Sequence, residues 1–530
     1  MEERVFVLNQ FCTLLLPALA LLVSFLLGSE ILKLRALLFS QLCSLAFATC
    51  AFIAACAKLL DWRISCLANI LDFRFDFFSS CLLLVIAFIA SVVLFYSERY
   101  LVGDKNRLSF IRHLLVLSTV SSLLVVSDNL VFSLLCWNGI SMILWRLLAM
   151  RQEAEGAAKL VLQHHLASDF LLGLAVAILF NCCHTVTISQ LPESISELSK
   201  SVELWGYTMP FHIGAVVALL LVLSMSIKSA LFPFHRWLLA TLEAPTPLSG
   251  LLHAGVVNVS AILAARLWPV LQESSFVLIV WGMLAFLSAV AGTLIMSAQS
   301  DVKRKLVFST VGQMGFMCLQ CASGAIPAAV FHLVAHGLFK CHMFLQSGSA
   351  VSEGLLKKRW NFSEQDNSDS GLAPSTVRLP LTLTGLLLLV ALPLGLWLWH
   401  EHSVSSETAL SVLIASAAIC TSLSALKRVN FALLFASGVF GLLLVFTSDL
   451  LAHMFDARIA PELNEQNWLL PVAIVAFALV ALARYLVSAR ELGKAFYVHA
   501  LNGFYVDHIA QRFVAGLKVP SSGSASKETI

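Results

Sequence analysis

Long apolar stretches separated by short polar connections run along most of the chain. Stretches long enough to cross roughly 30 Å of hydrocarbon fall near 6–28, 36–57, 77–97, 111–127, 129–149, 166–183, 211–232, 247–268, 275–297, 305–323, 325–350, 379–399, 408–426, 430–449 and 468–488. The pattern predicts an all-α polytopic membrane protein with about fifteen transmembrane helices. The first stretch lacks an A-x-A-like cleavage site and reads as the first span. Two segments break the pattern. Residues 351–378 are polar and turn-rich, including the run Glu364 to Gly371, and read as a loop. The tail after Arg490 mixes aromatic and polar residues before a Ser/Gly/Lys end, as expected of an amphipathic helix on the membrane or under a partner.

Composition agrees with the pattern. Of 530 residues, 59% are hydrophobic and 12% charged, against about a quarter charged in soluble domains. A net charge of +3, with no basic tail or interleaved basic and aromatic patch, gives no footprint for nucleic acid. The thirteen cysteines sit mostly in apolar stretches, where a thiol behaves as a small hydrophobe. The one C-x-x-C, Cys318 and Cys321, has no second pair and reads as packing, so no metal or cofactor is expected in this chain. Positive charge falls in every second connection: Lys33 and Arg35, Arg99 to Arg112, Arg146 to Lys159, Lys303 to Lys305, Lys357 to Arg359, and Lys427 with Arg428. The positive-inside rule makes these loops cytoplasmic, the N-terminus periplasmic and the C-terminus cytoplasmic.

Within the apolar stretches a few basic groups stand out. Lys228 lies well inside a span, five residues before Pro233. A proline removes a helix hydrogen bond, and a broken helix at membrane depth is tolerated where its freed groups line a protein or water cavity. A charged side chain at that depth costs about 2.5–3.5 kcal/mol or more and faces the bundle interior. Glu243-Ala-Pro-Thr-Pro247 is a rigid turn into the next span, and His253 follows about two turns in. His332, His336 and Lys340 are spaced i, i+4, i+8, on one helix face about 6 Å apart. These groups titrate, and together they suit a proton relay. The two histidines also have a metal spacing, but the glutamate of H-E-x-x-H is absent and Lys340 would repel a cation. Acids inside spans are few: Asp169, a candidate to tune the relay, and Asp128; Glu98 reads as interfacial. No P-loop, dinucleotide fingerprint, G-x-S-x-G or four-ligand zinc pattern occurs, so catalysis is not expected within this chain.

The runs Lys228-Ser-Ala-Leu-Phe-Pro233, Glu243-Ala-Pro-Thr-Pro247, Leu252-His-Ala-Gly255, Asp301 to Gln313 and His332-Leu-Val-Ala-His336-Gly-Leu-Phe-Lys340 resemble the proton-translocating antiporter-like subunits of respiratory complex I and of Mrp-type antiporters. The resemblance runs from about residue 70 to 350. It implies two inverted five-helix repeats with broken helices. It also implies Lys228 as the central lysine of a first half-channel, with His253, Lys303, His332, His336 and Lys340 forming the inter-channel and second-channel relay. The chain then divides into N-terminal helices (1–76), a first half-channel repeat (77–232), a second with its cytoplasmic loop (233–400, loop 351–378), C-terminal helices (401–490) and a cytoplasmic tail (491–530).

Two departures from that family matter. Trp137 is followed by Asn138 where complex I members have glutamate, so the acid expected beside the lysine is missing. The region of the second broken helix reads Pro393 to His400-Glu401-His402, with no lysine, leaving those three as candidates to replace it. With Glu98-Arg-Tyr100, Ser127 to Asn129 and the tail from Tyr497 to Asp507, these departures resemble the DabB family, membrane subunits of two-part inorganic-carbon pumps. That resemblance implies a bacterial inner-membrane transporter subunit conducting protons or sodium, with a DabA-like partner whose carbonic-anhydrase-like zinc site hydrates carbon dioxide. The alternatives are a subunit of a respiratory NADH-quinone oxidoreductase or Mrp-type antiporter, and, of another class, a non-conducting membrane anchor for a soluble partner.

Overall fold

The computed structural model describes residues 29–56, 62–66, 71–204, 207–360 and 498–506, besides Pro17, Leu19 and Ala20. Nearly all of the expected span 6–28, the four expected spans after residue 378, and His400, Glu401 and His402 lie outside the described residues. Within them, eight helical stretches are long and apolar enough to cross a membrane. The first is α1 (Glu30–Cys56). A hairpin of β1 (Trp62–Cys66) and β2 (Leu71–Phe75) leads to α2 (Phe77–Tyr100), then α3 (Arg107–Val126), α4 (Leu130–Ala149) and α5 (Glu155–Cys183). A short α6 (Ile195–Leu198) and a second hairpin, β3 (Ser201–Leu204) with β4 (Tyr207–His212), precede α7 (Ile213–Lys228).

Helix starts follow capping chemistry. Asp76 accepts from the Ser79 N–H while Ser79 Oγ meets the Asp76 N–H, a capping box that starts α2. Asn129 Oδ1 takes the N–H groups of Val131 and Phe132 to start α4. Alternating helix directions put both hairpins at one end of the bundle and the basic connections at the other. At the hairpin end the loops are tied together: Asp128 N donates to Asp72 O, and Asp128 in turn accepts from Ser189 N at 3.1 Å and Ser189 Oγ at 2.7 Å. Asp128 therefore sits in a connection between α3 and α4 and clamps a loop, rather than standing inside a span.

After α7 the chain turns through α8 (Arg236–Ala240) into α9 (Thr246–Ala254) and α10 (Val259–Arg266), followed by α11 (Trp268–Leu271). The expected single span over 247–268 is thus interrupted, with a one-turn 3₁₀ segment, Val256–Asn258, after Gly255. A long hairpin follows, α12 (Ser275–Ala298) and α13 (Val302–Ala322), and then α14 (Ile326–Trp360). The α12–α13 approach needs glycine: a Cβ on Gly292 would lie 2.5 Å from Gly312 N. Helix α14 runs ten residues into the segment expected to be a loop.

One apolar core joins these helices, with Trp137, Trp237 and Trp281 fully buried in it. Arg266, at the end of α10, makes a two-pronged pair with Asp76 at 2.7 and 3.2 Å, and Arg74 Nε reaches the same carboxylate at 3.2 Å. Burial alone would raise the Asp76 carboxyl, but Arg266, Arg74 and the capping bond from Ser79 outweigh it and hold it below its ordinary value. At the opposite end, Phe504 and Val506 of the tail pack beside Phe232 and Phe308, next to the end of α7.

Candidate functional site

Helix α7 ends abruptly at Lys228. Ala230 takes a left-handed conformation (φ 54°), and the N–H groups of Ala230 and Leu231 return to the carbonyls of Ile227 and Ser226. This is the double bond of a Schellman cap, at a position that favours glycine. An alanine there carries backbone strain of about 1–2 kcal/mol, at the residue two beyond the lysine. The break thus falls three residues before Pro233, whose bond to Phe232 is cis. Phe232 N donates to Ser288 Oγ at 3.0 Å. The second break, at Gly255, lies against the first: Ser229 Oγ donates to Val257 O at 2.8 Å, and Ser260 Oγ to Met225 O at 2.8 Å. A hydroxyl on the flank of each break thus bonds a carbonyl of the other, Met225 O taking it in addition to the Ser229 N–H.

Lys228 is fully buried and its three ammonium donors have three acceptors. Nζ lies 2.6 Å from Trp137 O, 2.8 Å from Ser141 Oγ and 2.9 Å from Asp169 Oδ1. It also lies 4.5 Å from the centre of a Trp137 ring, on the electron-rich face that attracts cations. Sequence alone leaves the lysine without its acid, because Asn138 stands where glutamate was expected. The structure supplies one from the next helix: Asp169 on α5 forms a buried ion pair with Lys228. Asn138 instead donates to Leu134 O on its own helix. Asp169 keeps a second oxygen, Oδ2, without a hydrogen-bond partner. Its orientation is braced by the adjacent Ser168, which bonds Ser224 on α7 and receives the Trp137 indole N–H.

A second cluster gathers on α14. His332 and His336 face each other edge to face with ring centres 5.9 Å apart. His332 is held from both sides, Nε2 2.9 Å from Gln313 Oε1 and Nδ1 2.9 Å from Gln320 Oε1, both on α13. The buried Gln320 amide nitrogen is unpartnered. Turning that amide lets it donate to Nδ1 and leaves the Nε2–H of a neutral ring to donate to Gln313. His253, from α9, stacks on Phe344 at 4.1 Å with the rings nearly parallel. Lys340 is buried and, among the described residues, has one acceptor, Leu306 O at 3.0 Å. Gly337 lets α14 close on the α9 break, since a Cβ there would meet Ala254 O at 2.6 Å.

The structure therefore brings Lys228 and Asp169 together, and His253, His332, His336 and Lys340 into a second buried set. It leaves Lys303 in the first turn of α13, half-buried, with no hydrogen bond or ion pair to the others among the described residues. Lys303 stands one turn before Leu306, whose carbonyl holds Lys340. Gln313 and Gln320 escaped sequence reasoning; an uncharged amide in an apolar helix gives little signal, although both lie on the helix preceding the histidines. Cys318 and Cys321 are buried free thiols on α13. No group of three or more metal-ligating side chains converges among the described residues.

Two broken helices thus meet beside a buried lysine–carboxylate pair inside a bundle of membrane-length helices. Residues 127–366 match the NADH:quinone oxidoreductase/Mrp antiporter transmembrane family. The fold is similar to that of a chain in the Mrp complex from Dietzia sp. DQ12-45-1b, at a TM-score of 0.55 and 20% identity, over 98% of this chain and 58% of that one. The more particular likeness is to DabB. The chain is 36% identical over 281 residues to the probable inorganic carbon transporter subunit DabB1 of Halothiobacillus neapolitanus, covering 52% of this chain and 49% of that protein. It is 35% identical to the Bacillus subtilis DabB over 55% of this chain and 57% of that protein. The NAD(P)H-quinone oxidoreductase chain 5 of Synechocystis is 29% identical, over 56% of this chain and 44% of that one. These matches span about half the length of the relatives. Over residues 127–366 the chain is similar to the antiporter-like transmembrane family, and its sequence likeness includes DabB subunits.

Proposed function

We propose that the chain is the proton-conducting subunit of an energy-coupled inorganic-carbon uptake complex, working with a zinc-containing DabA-like partner. The observation that carries it is the buried Lys228–Asp169 pair at a helix break. A charged pair inside the membrane is costly and marks an ion route by default. In this reading Lys228 releases and regains Asp169 as protons pass, and the His253, His332, His336 and Lys340 set carries the proton through the second half, with Lys303 and His400, Glu401 and His402 near its exit. Sodium is the other candidate ion. The two halves are inverted repeats, the basic connections are cytoplasmic, and the membrane is the bacterial inner membrane. The N-terminus is then periplasmic and the C-terminus cytoplasmic.

Coupling is energetically sufficient: one elementary charge moved across 100 mV is worth about 2.3 kcal/mol, enough to bias hydration of carbon dioxide toward trapped bicarbonate. Catalysis itself belongs to the partner. To test the reading, the tagged chain is purified from its own membrane, its companions identified and zinc measured, and labelled carbon uptake is followed with and without a protonophore. The reading expects one large zinc-containing companion and uptake that collapses with the proton gradient. Quinone-oxidoreductase or Mrp-type companions without stoichiometric zinc, and uptake indifferent to the protonophore, contradict it.

A further inference from the structure

His165 is a buried titratable group that the two clusters above do not use. It lies on α5, four residues before Asp169, and so stands on the same face one helical turn away. That turn is toward the start of α5, where Glu155 and Lys159 mark the basic-loop end. The side chain is fully buried, and neither ring nitrogen has a hydrogen-bond partner. Buried polar atoms are normally satisfied, so two open nitrogens on one ring call for an explanation. Packing holds the ring in place without using them. The Trp237 ring meets it edge to face at 4.5 Å, and Trp237 is itself anchored by its indole N–H to Ile227 O, beside Lys228.

We infer that His165 is the proton-transfer residue connecting the Lys228–Asp169 pair to the basic-loop end of the bundle. An imidazole fixed by an aromatic edge, with both nitrogens uncommitted, can take a proton at one nitrogen while giving one up at the other. The proton received on one side becomes the N–H of that side, and the N–H opposite is released, so the ring ends neutral as it began. The titratable and charged groups around it are Lys228 from α7 and His164 on its own helix. The turn Thr241–Glu243 also packs on α5 and presents Glu243, exposed at the basic-loop end. Asp169 Oδ2, the carboxylate oxygen without a partner, lies on the helix turn beyond. This inference rests on the conducting role proposed for the chain.

The test uses the intact complex reconstituted in liposomes, with a pH-sensitive dye inside and an imposed potential. Lys228→Met serves as the control for conduction itself. The expected result is flux in the wild type, none in Lys228→Met, and at least about a tenfold loss in His165→Asn. His165→Ala is expected to regain part of its flux with millimolar imidazole in the medium, which a merely structural role does not predict. Wild-type flux in His165→Asn alongside a silent Lys228→Met overturns the inference and leaves the conducting role standing. A loss that imidazole does not relieve, with the pH profile of the residual flux unchanged, also overturns it. A wild type that carries no protons, or a Lys228→Met variant as active as wild type, sinks the conducting role and the inference with it.

Discussion

The two buried lysines are held in opposite ways. Lys228 has three acceptors, one of them a carboxylate, and an aromatic face beside it. Among the described residues Lys340 has one carbonyl, and the titratable groups near it, His253 and His336, are basic. The first site is an ion pair whose charge is balanced within the protein. The second is a row of bases with no acid among its described members. Under the proposed conducting role, a proton moving through the first must break an existing pair, whereas a proton entering the second brings charge that no acid among the described members neutralises. The contrast teaches that two buried lysines in one helical bundle need not be charge-balanced alike.

Breaking the balance at the first site has the largest expected effect. Asp169→Leu leaves a buried ammonium without its counter-charge and should cost about 3–5 kcal/mol, read as a large drop in melting temperature of the purified protein. A second carboxylate, Asp76, offers an external control for that number, because it too is buried against cations but lies outside the spans. Asp76→Asn strands Arg266 and Arg74 and should cost a similar amount, about 3–5 kcal/mol. Its pH dependence has a definite sign. The folded Asp76 carboxyl is held below its ordinary value, so its contribution is complete above that value and is lost as pH falls through the folded one. Melting curves taken from neutral pH into the acid range should converge for wild type and Asp76→Asn; curves that stay parallel would show that the pair contributes no pH-dependent stability.

Smaller effects sharpen the second site. Gly337→Ala places a methyl against Ala254 O and should cost about 1–3 kcal/mol by forcing α14 off the α9 break. If the helices give way freely, its melting temperature will match wild type. The smallest change is Ala230→Gly, which removes left-handed strain at the α7 cap and should stabilise by up to about 1 kcal/mol. A destabilised variant would mean that the strain is offset by packing of the Ala230 methyl.

Much of this was legible in the sequence, for a physical reason. Charges are rare in lipid-length apolar runs, so Lys228, His332, His336 and Lys340 stand out, and the i, i+4, i+8 spacing fixes the shared face of the last three. Asp169 was visible as an intramembrane acid, but sequence does not say which neighbour its helix face meets. Asn138 drew attention to a missing partner that arrives instead from α5. The break at Gly255 was hidden because the stretch from Leu251 to Leu267 is apolar apart from His253, Asn258, Ser260 and Arg266, and one glycine does not by itself end a helix. The Arg266–Asp76 pair joins residues 190 apart in the chain, a distance no local pattern reports. The two hairpins, lying between spans and mixing charged with aromatic residues, carried no strand alternation strong enough to read.

The central claim is that the Lys228–Asp169 pair conducts and does not merely hold the bundle together. The double variant Lys228→Met/Asp169→Leu separates these roles, since replacing both members of a buried pair by apolar groups is often neutral or stabilising. Proton flux and melting temperature measured together on the reconstituted double variant are the direct test. The account predicts stability recovered to within about 1 kcal/mol of wild type with flux abolished. Wild-type flux in a double variant of recovered stability would contradict it.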